Sequence, residues 1–424
     1  MLGDVKRQID VLVIGGGSAG MAAAIAAYEE GCRNILILER SERLGGILCQ
    51  CIHNGFGLHR YKEELTGPEY AKRSIDIIEE KQIAYMLNTF VIDISSDKVV
   101  TAIGPEEGLI KLQAKAIVLA MGCRERARGA LMIPGTRPAG VITAGAAQKY
   151  LNLEGYLPGK EIVILGSGDI GLIMARQFTL EGLKVKEVIE LMPYSGGLAR
   201  NISQCLNDFD IPLSFSSTII EIRGKDRVSS VVVAKVDENR KAIPGTERVI
   251  ECDTLMISAG LIPENELSKA AGVELTMSTK GAIVDEYLQT SVPGIFACGN
   301  VLHVHDLVDN VSAESDEAGR YAAMYVFDKL KGSNFNQEIP VKNGYGVNAL
   351  VPQYINRDSV ESRNKLMFRP TNIYKNAKVK VYADDKCIAE KKMMVLTPGE
   401  MCELHVKHED ICQAQEVKVE VETS

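Results

Sequence analysis

The apolar and polar positions of the chain follow one order twice. "IDVLVIGGGSAGMAAAIAAYEEG", from Ile9, is an apolar run, a glycine turn and a stretch of small residues, which predicts a buried strand feeding a helix. "KEIVILGSGDIGLIMARQFTLEG", from Lys160, has the same order. Each copy continues into a second apolar strand ending in a carboxylate, "NILILER" with Glu39 and "KEVIEL" with Glu190. Alternating runs then predict a β-meander in each: "TFVIDIS", "KVVTAIG" and "LIKLQA" in the first, "STIIEIR", "SSVVVAKV" and "ERVIECD" in the second. Both copies close on an apolar strand that stops at a glycine, Gly122 and Gly260. Beyond about residue 336 the pattern becomes plain alternation around a "TPGE" turn, which predicts a small antiparallel β domain.

The predicted fold class is therefore α/β: two Rossmann-like dinucleotide-binding domains, each three-layered with a β-meander, plus a small C-terminal β domain. A chain of 424 residues is long enough to need more than one core.

Composition narrows the function. A formal charge of −8 removes the surplus of Lys and Arg that phosphate-backbone binding requires, so a nucleic-acid role is excluded. No apolar run approaches the roughly 20 residues that span a bilayer, and the longest, "MAAAIAAY", is a helix of small residues. The N-terminal segment lacks the pattern of a secretory signal, which points to the cytoplasm. The ten cysteines are scattered and form no C-x-x-C, so free thiols are expected.

The chemistry begins at the glycine turns. A strand entering G-x-G-x-x-G lets the backbone turn sharply and approach a pyrophosphate at a helix N-terminus, while a carboxylate about 20 residues on meets a ribose. Gly15, Gly17 and Gly20, with Ser18 and Ala19 between them, serve the first turn, and Gly166, Gly168 and Gly171, with Asp169 and Ile170, the second. Taken singly, such a turn is only a tight loop; two copies, each with its acid, make a stronger case. Glu190 is followed by "LMPYSGG", which offers no cation for a 2′-phosphate, so the second unit should prefer NAD(H).

"LERSERLGG" after Glu39, and "GAIVDEYLQTSVPGIFACGN" at residues 281–300, resemble the FAD-binding half of the two-dinucleotide-domain flavoprotein reductases. The resemblance implies that the later segment returns to the flavin, with the residue after Gly299 bonding a ribityl hydroxyl. The usual residue there is Asp, and here it is Asn300. On the same resemblance Arg40, Gly46 and Gly122 complete the FAD site and Gly260 the NAD(H) site. The implied domains are 1–122 with 281–335 for FAD, 123–280 for NAD(H), and 336–424 at the C-terminus.

"GCRERARGALMIPGTRPAGVITAGAAQKYL", "GGILCQCIHNGFGLHRYKEELTGPEYA" and "CGNVLHVHDLVD" carry the likeness further. They are similar to a subgroup of NAD(P)/FAD-dependent oxidoreductases often encoded beside a glycerol-3-phosphate-type dehydrogenase. That subgroup is related more distantly to the α subunits of opine, proline and hydrogen-cyanide-forming dehydrogenases. Unlike those subunits, this chain has no C-terminal cysteine cluster for iron–sulfur binding.

In the disulfide-reductase relatives a cysteine pair follows the same two glycines. Here Cys49 and Cys51 stand two apart; if the segment is helical they point about 200° from each other, which disfavours an internal redox pair. Cys51 is then either a single flavin-facing thiol, activated by a helix N-terminus or His53, or a small apolar filler beside the ring. His53, His303 and His305 all fall in segments that the resemblance places near the flavin; a general acid and a structural histidine both remain open. The H-x-H with Asp306 and Asp309 could also bind a metal, but the sequence supplies no convincing third side, so no metal is expected.

"RERARG" is either a solvated crossover or, through Arg124 or Arg126, a partner for a cofactor pyrophosphate. The long helix after "HDLVD" is predicted to begin near Val311 or Ser312, its positive end toward the flavin pyrimidine edge, as the resemblance implies. The C-terminal domain has no catalytic motif and is expected to serve as a subunit interface.

The expected activity is hydride transfer between NAD(H) and FAD, then electron exchange with a second acceptor, a partner dehydrogenase of glycerol-3-phosphate type. A stand-alone NADH oxidase or peroxidase using Cys51 and a redox-sensing scaffold are the alternatives.

Overall fold

The computed structural model describes residues 6–423; the expectation of a leader-free start falls partly on residues outside that range. The chain divides into two compact units, Met1–Cys123 with Pro263–Ser424, and Arg124–Ile262.

The first unit is built on a seven-stranded sheet. β1 (Lys6–Ile14) leads into α1 (Ser18–Glu29) and back into β2 (Ile35–Leu38). After α2 (Gly67–Glu80) come β3 (Ala84–Met86) and the meander β4 (Phe90–Ile94), β5 (Val99–Gly104) and β6 (Gly108–Leu119). β1 pairs in parallel with β2 and with β6, placing its C-terminal end at the centre of the sheet. The two halves of β6 do different work. Residues 108–113 pair antiparallel with β5, while Ile117–Leu119 pair in parallel with a strand that arrives much later in the chain, Ile295–Ala297. The central residues Val11, Leu12 and Val13 are wholly buried because both faces of a parallel sheet are covered.

The second unit opens with β7 (Val141–Thr143) and then places β8 (Glu161–Leu165), the helix α3 (Asp169–Leu180) and β9 (Lys184–Ile189) in the order of the first. β10 (Leu213–Ser214) lies at one edge, and β11 (Ser217–Gly224), β12 (Val228–Lys235) and β13 (Arg248–Glu251) form the second meander. β14 (Thr254–Ile257) then returns between β7 and β8, so that the five-stranded sheet is parallel throughout.

Residues 263–280, expected with the second unit, belong to the first. Ala271 and Val273 lie in the first unit's core, and the buried Asn265 amide donates to the carbonyls of Lys280 and Val301. These anchors come from packing that no local motif announces. β15 (Ile295–Ala297) then completes the first sheet, and α4 (Val308–Val326) packs along α1. α4 starts at Val308, three residues before the predicted point. Leu307 gives its N-terminus no side-chain cap, so the Ser312 signal marks an interior position and not a start.

The C-terminal strands form a five-stranded and a three-stranded sheet around their own apolar core. One ladder is parallel, Val341–Asn343 with Val417–Val419, where plain antiparallel pairing was expected; these strands are far apart in sequence, so no hairpin constrains their direction. Val351 and Met367 join the first unit's core, which ties this region to that unit.

Candidate functional site

β1 ends at Gly15, which has φ +105°, and a Cβ there would stand 2.5 Å from the Ala120 carbonyl oxygen. A Cβ on Gly20 would run into the Gly15 carbonyl oxygen, so both positions require glycine for the turn to close against the helix. Gly17 then caps α1, whose first turn is Ser18, Ala19 and Gly20 and contains no acid. The buried Glu39 carboxylate accepts from the amides of Gly16 at 2.6 Å and Ser41 at 2.7 Å, so its position is fixed beside the turn. The second glycine pair closes on the first: the Gly45 amide donates to Gly16 at 2.8 Å, and a Cβ on Gly46 would stand 3.0 Å from Gly17 Cα. Arg40 is exposed at the edge, and Gly122, at φ +72°, follows the end of β6.

The second unit repeats the construction. Gly166 has φ +104°, and a Cβ on it would fall on the Ser258 carbonyl oxygen. A Cβ on Gly171 would stand 2.7 Å from Gly166 O, whereas one on Gly168 meets nothing within 4 Å, leaving the mouth of this turn open. Glu190 is buried and accepts from the Ser167 amide and hydroxyl and from the Met192 amide. Asp169, grouped with the cofactor residues in sequence, accepts from Leu198 N and Asn201 Nδ2, so it also tethers the segment after the second strand. Ile170 is half-buried beside it, Gly260 turns the chain at φ +95°, and Arg124 is exposed. The Arg126 amide donates to Gly260 O at 3.0 Å.

Cys49 lies in a short 3₁₀ turn, Gly46–Gln50, and Cys51 follows directly. Their thiols donate to separate carbonyls, Leu44 and Ile47, each at 3.3 Å. They are not a disulfide. Burial, reinforced by Cys49, pushes the Cys51 thiol up to about 12, opposite to the activation that a nucleophile requires. The His53 ring lies tilted against Phe56, with centroids 4.9 Å apart, and its Nδ1 is 3.1 Å from Asn54 O.

The densest polar constellation follows β15. Gly299, at φ +69°, turns the chain, and Asn300 accepts from the His305 amide through Oδ1 at 3.0 Å while its Nδ2 faces Cys123 Sγ at 3.6 Å. The His303 and His305 rings lie against each other at a tilt of 53°, with centroids 4.2 Å apart. Their Nε2 atoms lie 2.5 and 3.2 Å from the two oxygens of Glu314, which also accepts from the Gly299 amide at 2.7 Å. Burial pushes Glu314 up, but the two imidazoles beside it outweigh burial and hold it well below the usual carboxylate range. Burial lowers His303 despite the adjacent carboxylate, so this residue resists taking a proton.

Sequence reasoning missed Glu314. The signal was available: Glu314 shares the buried face of α4 with Val311, Ala318, Tyr321 and Ala322, and a carboxylate in such a stripe needs a partner. It also supplies the third side that the H-x-H lacked, since one ligand atom from each of His303, His305 and Glu314 lies within 4.8 Å of the others. Asp306 and Asp309 do not join them. Asp306 pairs with Arg369 and accepts from Met401 N, and Asp309 accepts from His59 N.

The profile of the pyridine nucleotide-disulphide oxidoreductase family matches residues 9–318. The chain belongs to this family. As a pyridine nucleotide-disulphide oxidoreductase it is an enzyme that uses FAD and NAD(P)H. It is 27% identical over 318 residues to hydrogen cyanide synthase subunit HcnB of Pseudomonas protegens, covering 69% of this chain and 66% of that one. It is 26% identical over 352 residues to an opine oxidase subunit from Agrobacterium tumefaciens, covering 77% and 67%. The chain thus spans about two thirds of the length of these relatives. Thioredoxin reductase from T. acidophilum shares the fold with a TM-score of 0.61 at 23% identity, over 76% of this chain and 99% of that one. Among the described residues no helix is long and apolar enough to cross a membrane.

The residues fit the cofactors of the family. Each turn has glycines whose Cβ positions are blocked by backbone, and each has a buried carboxylate hydrogen-bonded beside it, the donor set a dinucleotide cradle calls for. His303 Nδ1 and Asp309 Oδ1 are buried with no hydrogen-bond partner among the described residues, as expected of atoms lining a site for a polar group.

Proposed function

We propose that this chain is the NAD(H)- and FAD-binding component of a two-part dehydrogenase, working in the cytoplasm and passing electrons to or from a partner of glycerol-3-phosphate type. FAD and NAD(H) supply hydride transfer between flavin and nicotinamide; NADH, a proton and oxidised FAD give NAD⁺ and reduced FAD. Gly15, Gly17, Ser18, Ala19, Gly20, Glu39, Arg40, Gly46, Gly122, Gly299 and Asn300 hold the FAD. Gly166, Gly168, Asp169, Ile170, Gly171, Glu190 and Gly260 hold the NAD(H), with Arg124 beside the pyrophosphate. The buried carboxylate Glu190 disfavours a 2′-phosphate and so favours NADH.

The observation that carries the reading is the state of the thiols. Cys49 and Cys51 donate to different carbonyls and Cys51 is held protonated, so the chain offers no redox pair at this turn and its electrons need an acceptor outside it. The names of the relatives, subunits of larger enzymes, support a partner chain; the glycerol-3-phosphate assignment rests on the likeness of the sequence motifs.

The test is stopped-flow reduction of the purified flavoprotein by NADH without oxygen, followed by mixing with the candidate dehydrogenase and dihydroxyacetone phosphate. Fast flavin bleaching, with reoxidation only in the presence of the partner, supports the proposal. Steady NADH consumption under air, lost in Cys51→Ser, would support the oxidase or peroxidase reading instead. Flavin that NADH does not bleach would leave the sensor reading.

A further inference from the structure

The loop Gly299–Asp306 is gripped from two sides. On the inner side stands Glu314, 1% exposed, accepting from Gly299 N, His303 Nε2 and His305 Nε2. On the outer side stands Arg369 of the C-terminal strands, whose guanidinium donates to Val304 O at 2.9 Å and Asp306 Oδ1 at 2.5 Å. Between them, the His305 amide takes the Oδ1 of Asn300.

This arrangement decides what Asn300 can offer. An amide side chain has one acceptor oxygen and two N–H donors. Here the His305 amide occupies the oxygen, which points the NH₂ group the other way, toward Cys123 Sγ at 3.6 Å, and makes Asn300 a donor on that side. The His305 amide stays in place because its own ring is tied to Glu314, and the turn before Asn300 is tied to the same carboxylate through Gly299. One buried anion thus fixes both ends of the segment that carries Asn300.

We propose that Glu314 is a positioning residue for FAD, acting through Gly299 and His305 to make Asn300 present its amide N–H to a flavin oxygen, with Arg369 holding the loop from the C-terminal region. The inference rests on the reading that FAD binds the first unit. It also gives the C-terminal strands a part in the flavin site, beyond that of an outer interface. Removing Glu314 leaves two buried imidazoles and the Gly299 amide without their acceptor, and unpaired buried groups drive rearrangement.

The test uses the full-length chain, stripped of flavin and titrated with FAD by fluorescence quenching. Glu314→Ala and His305→Ala should each raise the FAD dissociation constant tenfold or more, and the double variant should be little worse than either, since both break one chain of contacts. Glu314→Gln should recover part of the loss, because its amide oxygen still accepts from Gly299. Arg369→Gln should weaken FAD binding with Glu314 intact, and serves as the reading if Glu314→Ala does not fold. The visible spectrum of the FAD-saturated variants should shift relative to wild type, which a general loss of stability would not cause.

Wild-type affinity and spectrum in the variants would overturn the proposal. So would one equivalent of zinc or iron carried through purification by the wild type and lost from Glu314→Ala, since that makes the cluster a metal centre. A wild-type chain that cannot be reconstituted with FAD at all would instead overturn the reading on which the proposal rests.

Discussion

Glu190 Oε2 accepts from both the amide, at 2.9 Å, and the hydroxyl, at 2.6 Å, of Ser167, one residue past the first glycine of its turn. Glu39 stands in the same relation to Gly16, one residue past Gly15, but with an amide alone. The two cradles are therefore built to one plan, and the extra hydroxyl holds the second acid more firmly in place.

Replacing Glu190 by Ala removes the ribose acceptor and the repulsion of a 2′-phosphate together. The KM for NADH should rise about tenfold, equivalent to roughly 1.4 kcal/mol, while the KM for NADPH changes less or falls. Steady-state kinetics with both nucleotides checks this; equal effects on the two would mean that the second site is misplaced.

Cys51 should be a poor nucleophile. With its thiol pushed up to about 12, thiolate at pH 8 is about one part in ten thousand, and the fraction grows only as pH rises toward that value. Alkylation by iodoacetamide at pH 8, followed by peptide mass mapping, should label the exposed Cys387 far sooner than Cys51. Cys51→Ser should leave the anaerobic rate of flavin reduction by NADH within about twofold of wild type.

Gly20→Ala would place a methyl group against the Gly15 carbonyl oxygen, and neither backbone can yield without opening the turn. The expected result is a loss of about 1–3 kcal/mol in stability and a colourless protein. Gly168→Ala has open space around its Cβ and should fold normally, so the pair separates crowding from loss of glycine as such. Denaturant unfolding and flavin content report both.

Glu286 gives a pH dependence with a definite sign. Burial raises its carboxyl from 4.5 to about 7, with Glu338 adding to the rise and hydrogen bonds from Asn356 and Ser359 opposing it. Because the folded value lies above the unfolded one, the stability it contributes is fully present below about pH 4.5 and is lost as pH climbs through 7. Asp285 beside it is raised by burial as well and adds in the same direction. Glu286→Gln, which can still accept from the Asn356 amide, should melt a few degrees higher than wild type at pH 8 and no higher at pH 4.5. Calorimetry at the two pH values decides it.

Much of this molecule is legible in its amino-acid sequence. The strand, turn and helix order at Ile9 and Lys160 is local, and local glycine chemistry plus apolar periodicity determines it. The meander runs were legible for the same reason, since period-two alternation survives in a half-buried sheet. What escaped depends on contacts distant in sequence. Glu314 acquires meaning only when α4 brings it against His303 and His305, and the hold of Arg369 on Asp306 spans 63 residues. The start of α4 was misplaced because its first turn is set by packing and not by a capping side chain.

The split pairing of β6 governs how the chain can be made. Its last residues wait for Ile295–Ala297, so during synthesis the N-terminal sheet stays unfinished, with a bare edge, until nearly three hundred residues have left the ribosome. The other unit, Arg124–Ile262, is one uninterrupted stretch and can close while the rest is still emerging. A transcript cut between Ile262 and that late strand would yield a closed second unit attached to an open, aggregation-prone fragment.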